Sequence, residues 1–110
     1  MKTLIIFNPW AGHGRAGKLL PKIEAYLHEL EVEYDLLFTN GPGDGIDLTK
    51  SADFSQYSGL IAAGGDGTLF EMINGYYQNS SAVRIPIGII LVGTSNAFVK
   101  DMDFHDHDWK

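Results

Sequence analysis

The chain has 110 residues, of which 45% are hydrophobic, so it suits one globular domain and excludes a disordered chain. It has no cysteine and no apolar run long enough to span a bilayer, which excludes disulfide scaffolds, thiolate zinc sites and membrane-spanning helices. Eight basic against fourteen acidic residues give a net charge of −6, which argues against nucleic acid and against simple attraction to an anionic membrane.

The first half of the chain alternates between strand-like and helix-like segments. Residues 3–7 are a short apolar run, typical of a buried parallel strand. A glycine-rich loop follows, and then apolar residues at steps of three and four predict an amphipathic helix with Pro21 in its first turn. The apolar face of this helix comprises Leu20, Ile23, Leu27 and Leu30. Residues 34–39 predict a second strand, and residues 46–52 a short helix.

The second half continues this alternation. Residues 59–65 predict a third strand, and Leu69, Ile73 and Tyr76 form the stripe of a following helix. Residues 85–93 predict a fourth strand, and residues 94–102 a last helix. The order βαβαβαβα predicts a three-layer α/β fold, with a mainly parallel sheet and helices on both faces. The chain is expected to be the first domain of a longer cytoplasmic protein.

The loop after the first strand fits two nucleotide motifs at once, and neither is favoured. Read from Gly12, it matches both G-x-G-x-x-G and G-x-x-x-x-G-K. A P-loop requires Ser or Thr after its lysine, where this chain has Leu19, whose side chain cannot bind magnesium. A dinucleotide fingerprint requires an acidic residue at the end of the second strand, where this chain has Thr39. Two alternatives stay open: a plain connection, or half of a phosphate site.

The other half of such a site is predicted in the sequence GGDGT, residues 64–68. It follows the third strand and begins a helix, at the sheet edge where α/β proteins bind ligands. Gly64, Gly65 and Gly67 let backbone N–H groups approach an anion, and the helix N-terminus adds partial positive charge. A carboxylate fits beside phosphate when a divalent cation lies between them or when it transfers a proton. Asp66 is therefore predicted as a magnesium ligand and catalytic residue.

A purely structural explanation of the same residues is helix capping. Asp66 would be the N-cap, and Thr68 with Glu71 fits a T-x-x-E capping box. Capping does not explain three glycines, so a functional role is preferred. The sequence GTSN, residues 93–96, repeats the arrangement after the fourth strand and is predicted to form a second wall of the site.

These motifs together resemble the diacylglycerol kinase catalytic domain, a lipid kinase family that includes sphingosine and ceramide kinases. The resemblance rests on FNPWAG after the first strand, Thr39 after the second, GGDGTLFEMINGY after the third and VGTSNAF after the fourth. It covers nearly the whole chain. It departs from the family at Phe70, where Asn is common, and at Ala97, where Asp is common.

The resemblance implies transfer of phosphate from ATP, with Mg²⁺, to a lipid hydroxyl. It implies a nucleotide site in which Thr39 contacts ATP, residues 65–68 hold the phosphates, Glu71 supports that loop and Thr94 closes the other side. The full predicted nucleotide-binding set is Asn8, Pro9, Trp10, Ala11, Gly12, Thr39, Gly64, Gly65, Asp66, Gly67, Thr68, Glu71 and Thr94. A larger β-rich second domain, absent from this chain, would supply the lipid pocket and the general base, and would permit peripheral membrane contact.

Two other functions remain as alternatives. One is phosphorylation of a soluble hydroxyl, as in NAD kinase, which shares GGDGT but for which no downstream Asn-Glu pair is found here. The other is a nucleotide-binding module without catalysis, which this fragment alone is expected to be.

Several further residues have two interpretations. Trp10 either stacks on adenine or packs over the sheet edge. Arg15 and Lys18 are expected at a solvated helix start, while His13 and His28 are expected to be exposed. Tyr76 and Tyr77 are expected in the core or at its edge, and the His–Asp alternation at residues 105–108 indicates a solvated tail rather than a metal site.

Overall fold

A four-stranded, fully parallel sheet forms the centre of the molecule. The structure, a computed structural model, describes residues 2–81 and 83–92. The strands are β1 (Lys2–Phe7), β2 (Tyr34–Phe38), β3 (Tyr57–Gly64) and β4 (Ile87–Leu91), and the helices are α1 (Arg15–Glu29), α2 (Asp44–Ser51) and α3 (Asp66–Gln78). The strand order is β2-β1-β3-β4, and every neighbouring pair is parallel.

Helices cover both faces of the sheet, which confirms the predicted three-layer α/β fold. Successive side chains of a strand point to opposite faces, so β1 supplies Ile5 and Phe7 to one core cluster and Leu4 and Ile6 to the other. The first cluster also contains Ala16, Ile23 and Leu27 of α1. The second contains Met72 of α3, with Leu48 of α2 packed against it. The central strand β1 is therefore buried between two helical layers.

The first helix begins a turn and a half earlier than predicted, which corrects the position of Pro21. Helix α1 starts at Arg15, after Gly14 in the left-handed conformation, and Pro21 lies inside it. Burial of Ala16 against the sheet, in the first core cluster, outweighs the local preference of proline for the first turn. Leu30 is likewise not on the buried face, since it is the C-cap and is 39% exposed.

Two neighbouring tyrosines of α3 differ in their burial. Tyr76 packs at the edge of the second cluster as predicted, but Tyr77 is 75% exposed, so its predicted core position is wrong. The adjacent position on a helix is rotated by 100°, which turns Tyr77 away from the sheet. The predicted helix at residues 94–102 and the residues 105–108 lie outside the described residues.

Helices α2 and α3 pack against each other unusually closely. A Cβ atom added to Gly75 would lie 2.5 Å from the carbonyl oxygen of Ile46 and 2.7 Å from Cβ of Thr49. At the C-terminal end of α2, the side-chain amide of Asn79 donates to the carbonyl oxygens of Thr49, Lys50 and Ala52 at 2.9, 3.1 and 2.8 Å. These contacts hold the two helices together as one layer.

Two tyrosine hydroxyl groups near the amino-terminal edge of the sheet donate to carboxylates. Tyr34 donates to Glu24 at 2.6 Å, and Tyr57 donates to Asp35 at 2.7 Å. Burial, followed by the hydrogen bond to Glu24, raises the pKa of Tyr34 to about 12. Burial, followed by the hydrogen bond to Asp35, raises the pKa of Tyr57 to about 12. Both tyrosines therefore keep their protons in the folded chain at pH values where an ordinary tyrosine ionises.

The free energy of unfolding is expected to fall as the pH rises from about 10 through 12. In this window the unfolded chain releases tyrosine protons that the folded chain retains, so the contribution is complete below pH 10 and is lost above it. Urea denaturation across this range measures the decline. A Tyr34→Phe/Tyr57→Phe double variant should decline less steeply than the wild type, whereas Tyr77→Phe, at an exposed position, should follow it. Equal slopes for the wild type and the double variant would contradict this assignment.

Candidate functional site

The segments that leave the four strands begin side by side at the carboxyl edge of the sheet. Backbone hydrogen bonds continue the strand pairing one residue further. The N–H of Asn8 donates to Ala63 at 2.9 Å, that of Thr39 to Phe7 at 2.9 Å and that of Val92 to Gly64 at 2.8 Å. The chain therefore enters each loop from a fixed position, at the edge where open parallel sheets bind ligands.

A cavity of about 470 Å³ lies among these loops. Nine of the thirteen residues predicted from the sequence line it, and so do two that sequence reasoning missed, Gly41 and Pro42. The predicted nine are Asn8, Trp10, Ala11, Gly12, Thr39, Gly65, Gly67, Thr68 and Glu71. A signal for Gly41 and Pro42 exists in the sequence, because NGPGDG follows the second strand at the same sheet edge, but its composition is equally typical of a plain connection between two elements.

Of the other four predicted residues, three do not line the cavity and one lies outside the described residues. Pro9 and Gly64 belong to the same two loops but are not among the lining residues, and Asp66 lies exposed at the first position of α3. Thr94 and the rest of residues 93–96 lie outside the described residues.

The loop after β1 folds tightly onto the start of α1. The Asn8 side chain accepts the N–H of Trp10 at 3.0 Å, and the Pro9 carbonyl accepts the N–H of Gly17 at 3.0 Å. Gly12 has a φ of +64°, and a Cβ atom there would lie 3.2 Å from the carbonyl oxygen of Val92. Position 12 thus favours glycine for two reasons, the left-handed backbone conformation and the close approach of Val92, the residue that follows β4.

Trp10 occupies the outer wall of the cavity. Its side chain is 70% exposed, so the interpretation as a packed cap over the sheet edge is wrong. An exposed indole bordering a cavity is available to stack on a planar ligand. His13, Arg15 and Lys18 are exposed, as predicted.

Helix α3 is not capped by Asp66, the N-cap that the capping explanation predicted. The N-cap is Gly65, so Asp66 is the first helical residue and no side chain caps the helix. A Cβ atom at Gly64, whose φ is +155°, would lie 2.5 Å from Oγ1 of Thr68. The capping box of Thr68 and Glu71 is therefore wrong, because Thr68 is the third residue of the helix and packs beneath Gly64.

Backbone N–H groups on both sides of the cavity lack acceptors within the described part of the chain. The first intrahelical bonds of α3 run from Thr68 and Leu69 to the Gly65 carbonyl at 3.1 and 3.3 Å. The N–H groups of residues 65–67 precede them and keep their hydrogen-bonding capacity. In the loop after β1, the N–H groups of Gly12 and His13 are also without a partner among the described residues. Two loops therefore carry unused donors at one cavity, which favours an anionic ligand.

Among the described lining residues, Glu71 is the one with a charged side chain, and its carboxylate already accepts hydrogen bonds. Its carboxylate accepts the N–H of Gly43 at 3.0 Å and that of Gly45 at 2.9 Å. These bonds run to the start of α2, not to residues 64–68 as the resemblance implied. Among the described residues, no three His, Cys, Asp or Glu side chains lie close enough together to hold a metal ion.

Comparison with known proteins identifies similar chains. The family model for the diacylglycerol kinase catalytic domain matches residues 2–110. The diacylglycerol kinase of Staphylococcus carnosus is 36% identical over 97 residues, which cover 88% of this chain and 31% of that protein. Sphingoid long-chain bases kinase 1 of Arabidopsis thaliana is 34% identical over 103 residues, which cover 89% of this chain and 14% of that protein.

A solved structure has the same fold. The crystal structure of a diacylglycerol kinase from Bacillus anthracis superimposes with a TM-score of 0.68 and 35% identity, covering 90% of this chain and 33% of that one. The chain thus spans about a third or less of the length of these relatives. No described helix has the length and apolar character needed to cross a bilayer.

Proposed function

The chain belongs to the diacylglycerol kinase catalytic domain family, as its motifs predicted, and we propose that it is the ATP-binding part of a lipid kinase. The observation that carries this proposal is the convergence of two glycine-bearing loops on one cavity, each with N–H donors that have no acceptor among the described residues. The cavity volume of about 470 Å³ falls in the usual range for small-molecule sites, about 300–1,000 Å³. A triphosphate is the ligand that best matches these donors.

Each wall of the cavity has a proposed role. The phosphates approach the start of α3 at Gly65 and Gly67, and the adenine approaches Trp10 and Thr39. Thr68 is nearly buried, and its hydroxyl has no partner among the described residues, so it remains able to donate to a phosphate oxygen. Among the described residues that line the cavity there is no lysine or arginine, so we assign the balance of the phosphate charge to N–H dipoles and to a cation.

Mg²⁺ is the proposed cation, with Asp66 as its protein ligand. The Asp66 carboxylate is exposed at the N-terminus of α3 and makes no hydrogen bond to any described residue, so both oxygens are free to bind a hard cation. When bound, the ion neutralises phosphate charge. Phosphoryl transfer requires mainly this neutralisation and accurate positioning, so Asp66 and the α3 N-terminus are the proposed catalytic elements.

The proposed reaction moves the γ-phosphoryl group to a lipid hydroxyl. The hydroxyl oxygen bonds to the γ-phosphorus, the bond to the bridging oxygen breaks, and ADP leaves with that electron pair. The hydroxyl proton passes to a base in the remainder of a longer protein, which also supplies the lipid pocket in a β-rich second domain. The relatives named as diacylglycerol and sphingoid base kinases favour a lipid acceptor over a soluble one. A cytoplasmic role in phospholipid metabolism, with peripheral membrane contact, completes the proposal.

Calorimetric titration of this chain with ATP tests the nucleotide site. We expect the wild type to bind ATP at least about tenfold more tightly with Mg²⁺ than without it, and Asp66→Ala to lose most of that difference. Asp47→Ala is the matched control, because Asp47 is an exposed aspartate in the first turn of the neighbouring helix α2. Equal affinities for the wild type and Asp66→Ala, each with and without Mg²⁺, would contradict the proposal. An assay of the longer protein on lipid substrates and on NAD would distinguish the two acceptor classes.

A further inference from the structure

We propose that Glu71 is a positioning residue, which holds the loop after β2 against α3 and so sets the shape of the nucleotide cavity. This inference rests on the proposed function and assigns a task that is distinct from binding phosphate or metal. It concerns residues 39–43, called here the β2–α2 loop, which contribute Thr39, Gly41 and Pro42 to the cavity wall.

The carboxylate of Glu71 joins two elements that are far apart in the chain. Its Oε2 accepts the N–H of Gly43, 28 residues away, and its Oε1 accepts the N–H of Gly45, 26 residues away. Gly43 is the N-cap of α2 and has no side chain to cap the helix. Glu71 therefore supplies the missing cap from α3 and matches its negative charge to the positive end of the α2 dipole.

Few other contacts hold the tip of this loop, residues 40–43, against the rest of the described chain. A Cβ atom added to Gly41 or Gly43 would meet nothing within 4 Å, so no neighbour packs against these two residues on the side where a side chain would lie. Pro42 is exposed. The other bonds of residues 40–43 within the described chain are local. The N–H of Asn40 donates to the Asp44 carboxylate at 2.7 Å, that of Asp44 to the Gly41 carbonyl at 3.2 Å, and those of Ile46 and Asp47 to the Gly43 carbonyl at 3.1 and 3.2 Å. They shape the turn but do not attach it to α3.

The close packing at Gly45 shows how tightly Glu71 is placed. A Cβ atom there would lie 2.8 Å from Oε1 and 2.9 Å from Cβ of Glu71. The glutamate stem and carboxylate thus lie directly on the α2 backbone. Because each oxygen already accepts an N–H at the start of α2, Glu71 is assigned no part in holding Mg²⁺, and its negative charge is partly stabilised by these two N–H dipoles.

The opposite end of the same helix pair offers a matched control. Asn79 ties the C-terminus of α2 to the end of α3 through three hydrogen bonds to carbonyl oxygens. It does not line the cavity. Loss of Asn79 should loosen α2 against α3 as much as loss of Glu71, but at the end remote from the cavity.

The experiment compares Glu71→Ala, Glu71→Gln and Asn79→Ala with the wild type. MgATP affinity is measured by calorimetry, stability by urea denaturation, and exchange of the Gly43 and Gly45 amides by NMR. We expect Glu71→Ala to bind MgATP about tenfold more weakly, since two hydrogen bonds to a charged group are lost. Glu71→Gln keeps one acceptor oxygen and should fall between Glu71→Ala and the wild type. The Gly43 and Gly45 amides should both exchange faster in Glu71→Ala, one of them should exchange faster in Glu71→Gln, and neither should change in Asn79→Ala.

Asn79→Ala should lose stability but bind MgATP within about twofold of the wild type. Unchanged affinity in Glu71→Ala while the wild type binds MgATP would overturn this inference alone. Equal weakening of affinity in Glu71→Ala and Asn79→Ala would also overturn it, because a general loosening of the helix pair would then explain both. Failure of the wild type to bind MgATP would overturn the proposed function as well.

Discussion

Replacement of Gly75 by alanine is expected to lower the free energy of unfolding by about 3 kcal/mol, and Tm by roughly 10 °C or more. The added methyl group would lie 2.5 Å from the carbonyl oxygen of Ile46, 2.7 Å from Cβ of Thr49 and 3.1 Å from the backbone nitrogen of Lys50. These neighbours belong mainly to the α2 backbone, which cannot rotate away as a side-chain end could. Helix α2 must therefore shift from α3, and the packing beneath both helices is disturbed. Urea and thermal denaturation measure the loss.

Gly67→Ala in the same helix is the control for this stability effect. Both substitutions gain the helix propensity of alanine, which favours it over glycine by up to about 1 kcal/mol. Position 67 has open space for a Cβ atom, whereas position 75 does not. If Gly75→Ala unfolded within 1 kcal/mol of the wild type, α2 and α3 would not be in the close contact described here.

The same Gly67→Ala variant is expected to lower the affinity for MgATP by roughly tenfold to a hundredfold while leaving the fold as stable as before, or more so. Gly67 lines the cavity, and apart from its chain neighbours and the adjacent backbone of α3 no described atom lies within 4 Å of the position of its Cβ atom. The fold therefore tolerates alanine at position 67. A methyl group there would stand between the N–H groups of the α3 N-terminus and an approaching phosphate.

Parallel calorimetric and thermal measurements separate binding from stability for Gly67→Ala. Gln78→Ala, at the exposed far end of α3, should match the wild type in both. Undiminished MgATP affinity in Gly67→Ala would contradict phosphate binding at this helix start. A fall in both affinity and stability would show that glycine at this position serves the fold.

Much of the site could be predicted because its parts are local in sequence. Each loop follows an apolar strand directly, and parallel strands bring their carboxyl ends to one edge. Asn8, Thr39 and Gly65 therefore had to lie near one another once the alternation of strands and helices was recognised. Gly41 and Pro42 were missed because a glycine–proline turn has the same composition whether it forms a cavity wall or only connects two elements.

The errors arose where a local rule competed with a tertiary contact. Pro21 suits a first turn, but burial of Ala16 against the sheet extends α1 backwards and leaves the proline inside the helix, on its exposed side. Thr68 and Glu71 have capping-box spacing, but the cap of α3 falls at Gly65. Glu71 instead reaches the N-terminus of α2, where unpaired N–H groups offer a better partner than any within its own helix.

The amino-acid sequence by itself determined the order of strands and helices, the parallel sheet and the edge at which the glycine loops meet, because these follow from hydrophobic period and from the direction of successive strands. Only the tertiary structure decided which glycine serves packing and which is free to serve a ligand. Gly67 and Gly75 lie in one helix, and they differ only in that one faces open space and the other faces the α2 backbone. The tertiary structure also decided the partners of Glu71. Its carboxylate accepts the N–H groups of Gly43 and Gly45, which are 28 and 26 residues away in the chain, and only folding brings them within hydrogen-bonding distance.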